Sequence, residues 1–237
     1  TVDAYIRTRL FGCMFNPFNG NDWKILLAKD GAVTKHIINE MARAVCKMQD
    51  ELLTVDARVE HRLFSEVKSL KMRESYSMPL QKTIYERTQY PSHGGGLEKA
   101  FAEFLDRDAE VERFLKISET QHSFASIYYI RTDGLMSVYH PDFLVATNEK
   151  VYLVETKGND KINDKNVRQK QSATIEWVRK INSLKSNERM NREWEYVLLS
   201  EDNFYGLSSN GATITDICNL NKVSLSQVTG DLFSSLI

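Results

Sequence analysis

The chain has 237 residues, of which 42% are hydrophobic, and its net charge at neutral pH is −1. That length and composition support one or two domains with a packed core. No run of eighteen apolar residues and no signal-peptide pattern occurs, which argues against a membrane partner. Three widely spaced cysteines argue against a disulfide framework or a zinc site and favour a reducing cytoplasm.

Residues 1–90 contain one clear element and no catalytic spacing. Apolar residues recur every three or four positions from Val33 to Met48, which predicts an amphipathic helix. Alternation at 55–59 predicts a short strand, and the charge-dense stretch 59–76 fits either a helix or strands. We interpret 1–90 as a connector, either separate from residues 91–237 or packed on them.

The next elements begin after Gly94-Gly95-Gly96, a chain break that precedes a second amphipathic helix. Its apolar positions are Leu97, Phe101, Phe104 and Leu105. A short helix is predicted at 108–116 and a strand at 123–132. Asp133-Gly134 is a hairpin turn signal, and the chain then returns through 135–139.

Two hydrophobic runs, 143–147 and 151–154, surround a polar turn and predict a β-hairpin. Asp142 precedes the first strand, and Glu155 lies near the end of the second, so the two carboxylates should lie close across the ladder. Glu155 and Lys157 are two residues apart and face the same side of a strand. The hairpin therefore predicts that these three charged groups converge.

A long helix is predicted at about 163–187, followed by a strand at 194–199. From Lys150 to Arg192 there are eleven Lys or Arg residues against five Asp or Glu. This basic excess favours contacts with DNA phosphates, although a solvated helix face is the alternative. The helix carries the basic residues Lys165, Arg168, Lys170, Arg179 and Lys180.

The converging charges suit metal-assisted hydrolysis of a phosphodiester. Mg²⁺ prefers oxygen ligands and is usually held by one or two carboxylates with water, here Asp142 and Glu155 with the Thr156 carbonyl as a further ligand. Mn²⁺ is the natural substitute. Two neighbouring carboxylates keep a lysine charged, which favours an electrostatic role for Lys157 over that of a general base.

The motif Pro141-Asp142 with Glu155-Thr156-Lys157, in this order of elements, resembles the PD-(D/E)xK nuclease family. The resemblance implies an α/β fold with a restriction-endonuclease-like core: a mixed central sheet flanked by helices in the order α-β-β-β-α-β. It also implies a further metal-binding and catalytic glutamate from the first helix. Glu98 matches that position, and Glu103 is the weaker candidate. By the same analogy, Gln169 and Lys170 would support the site or contact phosphate.

A finer resemblance covers the segments 90–101, 139–143, 154–158 and 170–177. They are similar to the C-terminal endonuclease region of type III restriction enzyme Res subunits, which are DEAD/DEAH helicase–nuclease fusions. It implies a metal-dependent endodeoxyribonuclease that acts on double-stranded DNA in the bacterial cytoplasm, with a modification methyltransferase subunit as its partner. Residues 1–90 would then be the helicase-proximal connector.

The chain begins with Thr1 and contains no Gly-x-x-x-x-Gly-Lys-Ser/Thr motif. The resemblance implies a piece of a longer protein whose ATP-dependent motor lies outside this chain, and both observations agree with that expectation. The alternative function is a noncatalytic nucleic-acid-binding or docking module of a helicase that keeps the nuclease fold.

Overall fold

The computed structural model describes residues 59–93, 95–132, 136–159 and 165–223, together with a few single residues before position 59. The chain divides into two units, one formed by 1–60 and 130–137 and the other by 61–129 and 138–237. In the first unit, the described residues at 38, 40, 41 and 44 are helical. The predicted strand at 55–59 and the Asp133-Gly134 turn lie almost wholly outside the described residues, and the domain boundary near residue 90 stays a prediction.

The helices and strands are numbered in chain order. The strands are β1 (Ser77–Pro79), β2 (Arg87–Gln89), β3 (Arg113–Lys116), β4 (Ile127–Ile130), β5 (Met136–Tyr139), β6 (Phe143–Ala146), β7 (Lys150–Lys157) and β8 (Glu193–Ser200). The α-helices are α1 (Gly96–Arg107), α2 (Lys165–Asn182), α3 (Glu201–Ser209) and α4 (Ile214–Asn221). Short 3₁₀ helices occupy Phe64–Glu66, Glu74–Tyr76 and Ser186–Arg189.

The central sheet has four strands in the order β3-β6-β7-β8. β3 and β7 each pair with β6 in the antiparallel sense, whereas β7 and β8 are parallel and are connected through α2. β1 and β2 form a separate pair, and so do β4 and β5. The predicted α/β fold, a restriction-endonuclease-like core with a mixed sheet between helices, is thus confirmed.

The order α-β-β-β-α-β holds with a different first strand. Residues 108–116 were predicted as a helix, but 113–116 form β3 at the edge of the sheet. Short apolar runs fit a strand as well as one helical turn, and the long-range pairing with β6 decides between them here. The predicted strand at 123–132 is only β4, which lies in the separate two-stranded sheet.

The sheet buries a different hydrophobic cluster on each face. On one face, Phe101 and Leu105 of α1 pack with Phe143, Tyr152 and residues of α3 and α4. On the other, Ile175 and Val178 of α2 pack with Leu153 of β7 and with Tyr196 of β8. Alternation along the strands therefore assigns odd-numbered residues of β7 to the α2 face.

The start of α1 is fixed by a close backbone approach. Gly95 is the N-terminal cap residue, and a Cβ atom there would lie 2.3 Å from the carbonyl oxygen of Pro91. Only glycine fits at this position, because the contacted atom is backbone. None of the described helices is long and apolar enough to cross a bilayer.

Candidate active site

The two strands of the β6–β7 hairpin bring the predicted charged groups to the same side. Phe143 is paired with Val154, so Asp142 and Glu155 stand at the next position of the same register. Glu155 and Lys157 are odd-numbered residues of β7 and share the α2 face with Leu153. The convergence thus follows from the twofold period of strands and from the register of this hairpin.

Asp142 is held against the end of β7 by two hydrogen bonds. The backbone amide and the hydroxyl of Thr156 both donate to Asp142 Oδ2, each at 2.8 Å. The other oxygen, Oδ1, lies 3.8 Å from the ammonium of Lys116. The hydrogen bonds to Oδ2 therefore hold the carboxylate of Asp142 in place, and Oδ1 faces charged groups.

Glu155 is buried, with only 4% of its surface exposed. Its Oε2 accepts a hydrogen bond from the hydroxyl of Tyr139 at 3.0 Å, and its Oε1 lies 2.6 Å from Lys157 Nζ. Burial raises the pKa of Glu155 from 4.5 to about 7; the charge of Asp142 adds to the rise, and Lys157 opposes it. A cation near this carboxyl would favour its ionised form.

Lys157 ends β7 and remains charged. Burial acts to lower its pKa, but the adjacent Glu155, with Asp142 and Glu98, outweighs burial and raises the pKa above its ordinary value of 10.5. A lysine with a raised pKa is a poor general base at neutral pH. Its chemistry here is that of a fixed positive charge beside two carboxylates.

Glu98 reaches the same region from α1, on the opposite face of the sheet. Its Oε2 forms an ion pair with Lys116 of β3, a residue that no sequence pattern indicated. Burial raises the pKa of Glu98, Lys116 opposes the rise and Asp142 adds to it. The glutamate from the first helix therefore lies within electrostatic reach of Asp142, with a lysine as its direct partner.

An aromatic wall supports the carboxylates on the α2 side. The ammonium of Lys170 lies 4.9 Å from the ring centre of Tyr139 and 5.9 Å from that of Tyr129, which are cation–π distances. Tyr139 is buried, and burial raises the pKa of its hydroxyl far above 10, so it acts only as a neutral hydrogen-bond donor to Glu155. The charge of Lys170 also opposes the rise in the pKa of Glu155.

These groups line a cleft of about 370 Å³. Its wall is formed by Glu119, Thr120, Val138, Tyr139, His140, Asp142, Glu155, Lys157 and Lys170. The Nε2 atom of His140 is buried and has no hydrogen-bond partner among the described residues. Glu98 and Lys116 are not part of this wall, so the cleft reaches the hairpin groups and not the pair behind them.

The remaining predicted contact residues lie at the start of α2. Lys165 is the first residue of the helix, but its side chain lies outside the described residues, whereas Arg168 is exposed and Gln169 is half-buried. Further along α2, Arg179 pairs with Glu176 at 2.7 Å on the surface. Among the basic residues of α2 whose side chains the structure describes, Lys170 lines the cleft.

Two residues of the site were not predicted, because nothing in the sequence around them indicates their role. Lys116 became part of the site only through the pairing of β3 with β6, which sets it opposite Phe143. Tyr139 stands beside the Pro-Asp pair, but its role depends on the depth of Glu155. The apolar residues of 136–139 gave no hint, because Met136 and Val138 are exposed whereas Tyr139 is buried.

The donor chemistry fits a sparsely coordinated hard cation. The carboxylates of Asp142 and Glu155 face this cleft and match Mg²⁺, which keeps several waters and takes one or two protein carboxylates. Among the described residues, no three His, Cys, Asp or Glu side chains are grouped so as to enclose a metal. The residues present therefore fit an ion held at Asp142 and Glu155 with open positions, not an all-protein cage.

Residues 81–187 match the model of a family described as an endonuclease domain. The matched segment contains Glu98, Lys116, the β6–β7 hairpin and all of α2, so every group of the site falls within it. The comparisons with curated proteins and with solved structures gave no match. The segment that carries the site is thus similar to endonuclease domains.

Proposed function

We propose that the chain carries a Mg²⁺-dependent DNA endonuclease domain, with Asp142 and Glu155 as metal ligands. One observation carries the proposal: two carboxylates and a charged lysine meet in a single cleft within the endonuclease-like segment. A double-stranded DNA substrate accounts for the basic residues along α2. Mn²⁺ would substitute for Mg²⁺ because it accepts the same oxygen ligands.

The bound ion would polarise the scissile phosphate and lower the pKa of an attacking water. The residues of the chain position the metal ligands and stabilise charge. Thr156 fixes Asp142 through two hydrogen bonds, and Tyr139 fixes Glu155. Lys157 supplies positive charge where the phosphate gains negative charge, and Lys170 extends that positive field along α2.

We further propose that the domain belongs to a type III restriction enzyme Res subunit. Its ATP-dependent motor would lie outside this chain, and a modification methyltransferase would be its partner. The support for this finer assignment is the sequence resemblance of the segments 90–101, 139–143, 154–158 and 170–177.

A plasmid-cleavage assay tests both levels. The full-length protein that contains this chain is incubated with supercoiled plasmid, the methyltransferase encoded beside it, ATP and Mg²⁺. We expect wild-type protein to cut and Asp142→Ala, Glu155→Ala and Lys157→Ala each to cut ~10²–10³-fold more slowly, because each removes a group that stabilises the transition state.

Matched controls come from residues outside the cleft. Lys150 pairs with Glu195 at 2.7 Å at the opposite end of β7, so Lys150→Ala removes an equivalent ion pair outside the cleft and should cut normally. Asp106 accepts two backbone hydrogen bonds, as a structural carboxylate does, and Asp106→Asn controls for Asp142.

The outcomes separate the hypotheses. If all three site variants cut like wild type, the assigned site is wrong. If wild-type protein binds DNA without cutting, the chain is a noncatalytic docking module. If cutting needs neither ATP nor the methyltransferase, the type III context is wrong while the nuclease stands.

A further inference from the structure

A second cationic side chain lies behind the cleft. Lys116 ends β3 opposite Phe143, and its ammonium lies 5.0 Å from the centre of that ring. The ammonium forms an ion pair with Glu98 Oε2 and lies 3.8 Å from Asp142 Oδ1. Only 11% of its side chain is exposed. Lys116 thus stands between two carboxylates that come from opposite faces of the sheet.

A buried ammonium stays where carboxylates compensate its lost hydration. Here Glu98 is the direct partner, and Asp142 supplies a second negative charge at longer range. Asp142 has already committed Oδ2 to Thr156, so Oδ1 is the atom that both Lys116 and any bound cation approach. A divalent ion placed between Glu98 and Asp142 would lie next to the Lys116 ammonium and be repelled by its charge.

Lys157 stands in a different position from Lys116. Lys157 lines the cleft and has 23% of its side chain exposed, so its ammonium can shift within the cleft when a cation arrives at Asp142 and Glu155. Lys116 and Glu98 do not line the cleft, and the ring of Phe143 lies against the Lys116 ammonium. Ions from solvent can therefore reach the position between Asp142 and Glu155. The position between Glu98 and Asp142 is already occupied by the ammonium of Lys116.

We propose that Lys116 is a built-in counter-ion that takes the place of a second divalent cation, so that this site binds one metal ion and uses Glu98 to hold Lys116. The inference rests on the proposed metal-dependent function and specifies its stoichiometry. Lys116 is accordingly a positioning residue: it orients Asp142 Oδ1 and neutralises Glu98.

Counting Mn²⁺ ions tests the inference without any DNA. Free Mn²⁺ is followed by electron paramagnetic resonance during titration of the chain at neutral pH. Wild-type protein should bind one Mn²⁺ at the site, and Lys116→Met should bind two, because Glu98 and Asp142 are then left without their cation. Lys116→Arg keeps the positive charge and should return the count to one.

Controls and contrary outcomes are distinct. Lys150→Met removes a partly buried lysine from the Glu195 ion pair and should leave the count at one. Glu98→Gln should also bind one ion, whereas Asp142→Asn should bind none. Two ions in wild-type protein, an unchanged count in folded Lys116→Met, or loss of binding in Glu98→Gln overturns the inference. If Lys116→Met does not fold, the wild-type and Glu98→Gln counts decide.

The result also separates this inference from the function on which it rests. Wild-type protein that binds two ions and cuts DNA contradicts the counter-ion role alone. Wild-type protein that binds no Mn²⁺ contradicts the metal-dependent function, and the counter-ion role falls with it.

Discussion

Replacing Glu155 by glutamine should make the protein's stability less dependent on pH. The carboxyl is 4% exposed, and burial raises its pKa in the folded state to about 7, against 4.5 for an exposed glutamate. The folded state therefore holds a proton that the unfolded state has lost between these two values. The contribution of the protonated Glu155 to the stability of the folded state is complete below pH 4.5 and is lost as the pH rises through 7.

The expected size follows from the two pKa values. A displacement from 4.5 to about 7 corresponds to about 3 kcal/mol in the free energy of unfolding. Glu155→Gln keeps the shape and can still accept the hydrogen bond from Tyr139, but it carries no charge at any pH. Relative to this variant, the wild-type protein should lose about 3 kcal/mol between pH 4.5 and pH 8.

Urea unfolding at several pH values, in EDTA, measures this difference directly. Other carboxyl groups titrate alike in both proteins and cancel when the two curves are subtracted. Glu195→Gln is the control, because Glu195 forms the ion pair with Lys150 at the far end of β7. A difference that stays flat from pH 4.5 to 8 would refute the burial argument. Millimolar Mg²⁺ should flatten the difference, since a bound cation favours the charged carboxylate.

Three further outcomes are expected. Phe101→Ala should lower the free energy of unfolding by about 3–5 kcal/mol in urea, because the ring is fully buried among other aromatic side chains. Tyr139→Phe should lower the free energy of unfolding by about 1.5–3 kcal/mol when Glu155 is charged, because the carboxylate then loses a hydrogen-bond donor. The loss should be smaller at pH 5, and the same urea assay would detect it. Lys170→Met should reduce the slope of log binding constant against log salt concentration by about one, as filter binding to DNA would measure. Arg179→Met, which changes a surface residue, should alter that slope less. Equal slopes for the two variants would contradict a role for Lys170.

The hairpin part of the site was predictable because its determinants are local. Two apolar runs, a polar turn and a period of two are enough to place Asp142, Glu155 and Lys157 on one side. β7 is longer than the predicted 151–154, extending from Lys150 to Lys157, so Glu155 and Lys157 belong to the strand itself.

The rest of the site depended on contacts that a linear pattern does not contain. Residues 108–116 fit a helix in isolation, and only the pairing of β3 with β6 makes Lys116 a neighbour of Asp142. The place of Glu98 came from a family resemblance and not from spacing. Nothing in the sequence indicated that a lysine would stand between it and Asp142. Long-range pairing and burial thus decide what local propensity leaves open.

The connectivity of the central sheet sets an order for its assembly. The β6–β7 pairing closes a turn of a few residues, whereas the parallel β7–β8 pairing must wait for a crossover that includes all of α2. Loops this different in length differ in closure entropy and in the speed of contact formation. We therefore expect the hairpin with its three charged groups to form in the folding transition state, and β8 to dock afterwards. Conservative substitutions at Val145 and Val197 would reveal this order as high and low φ-values.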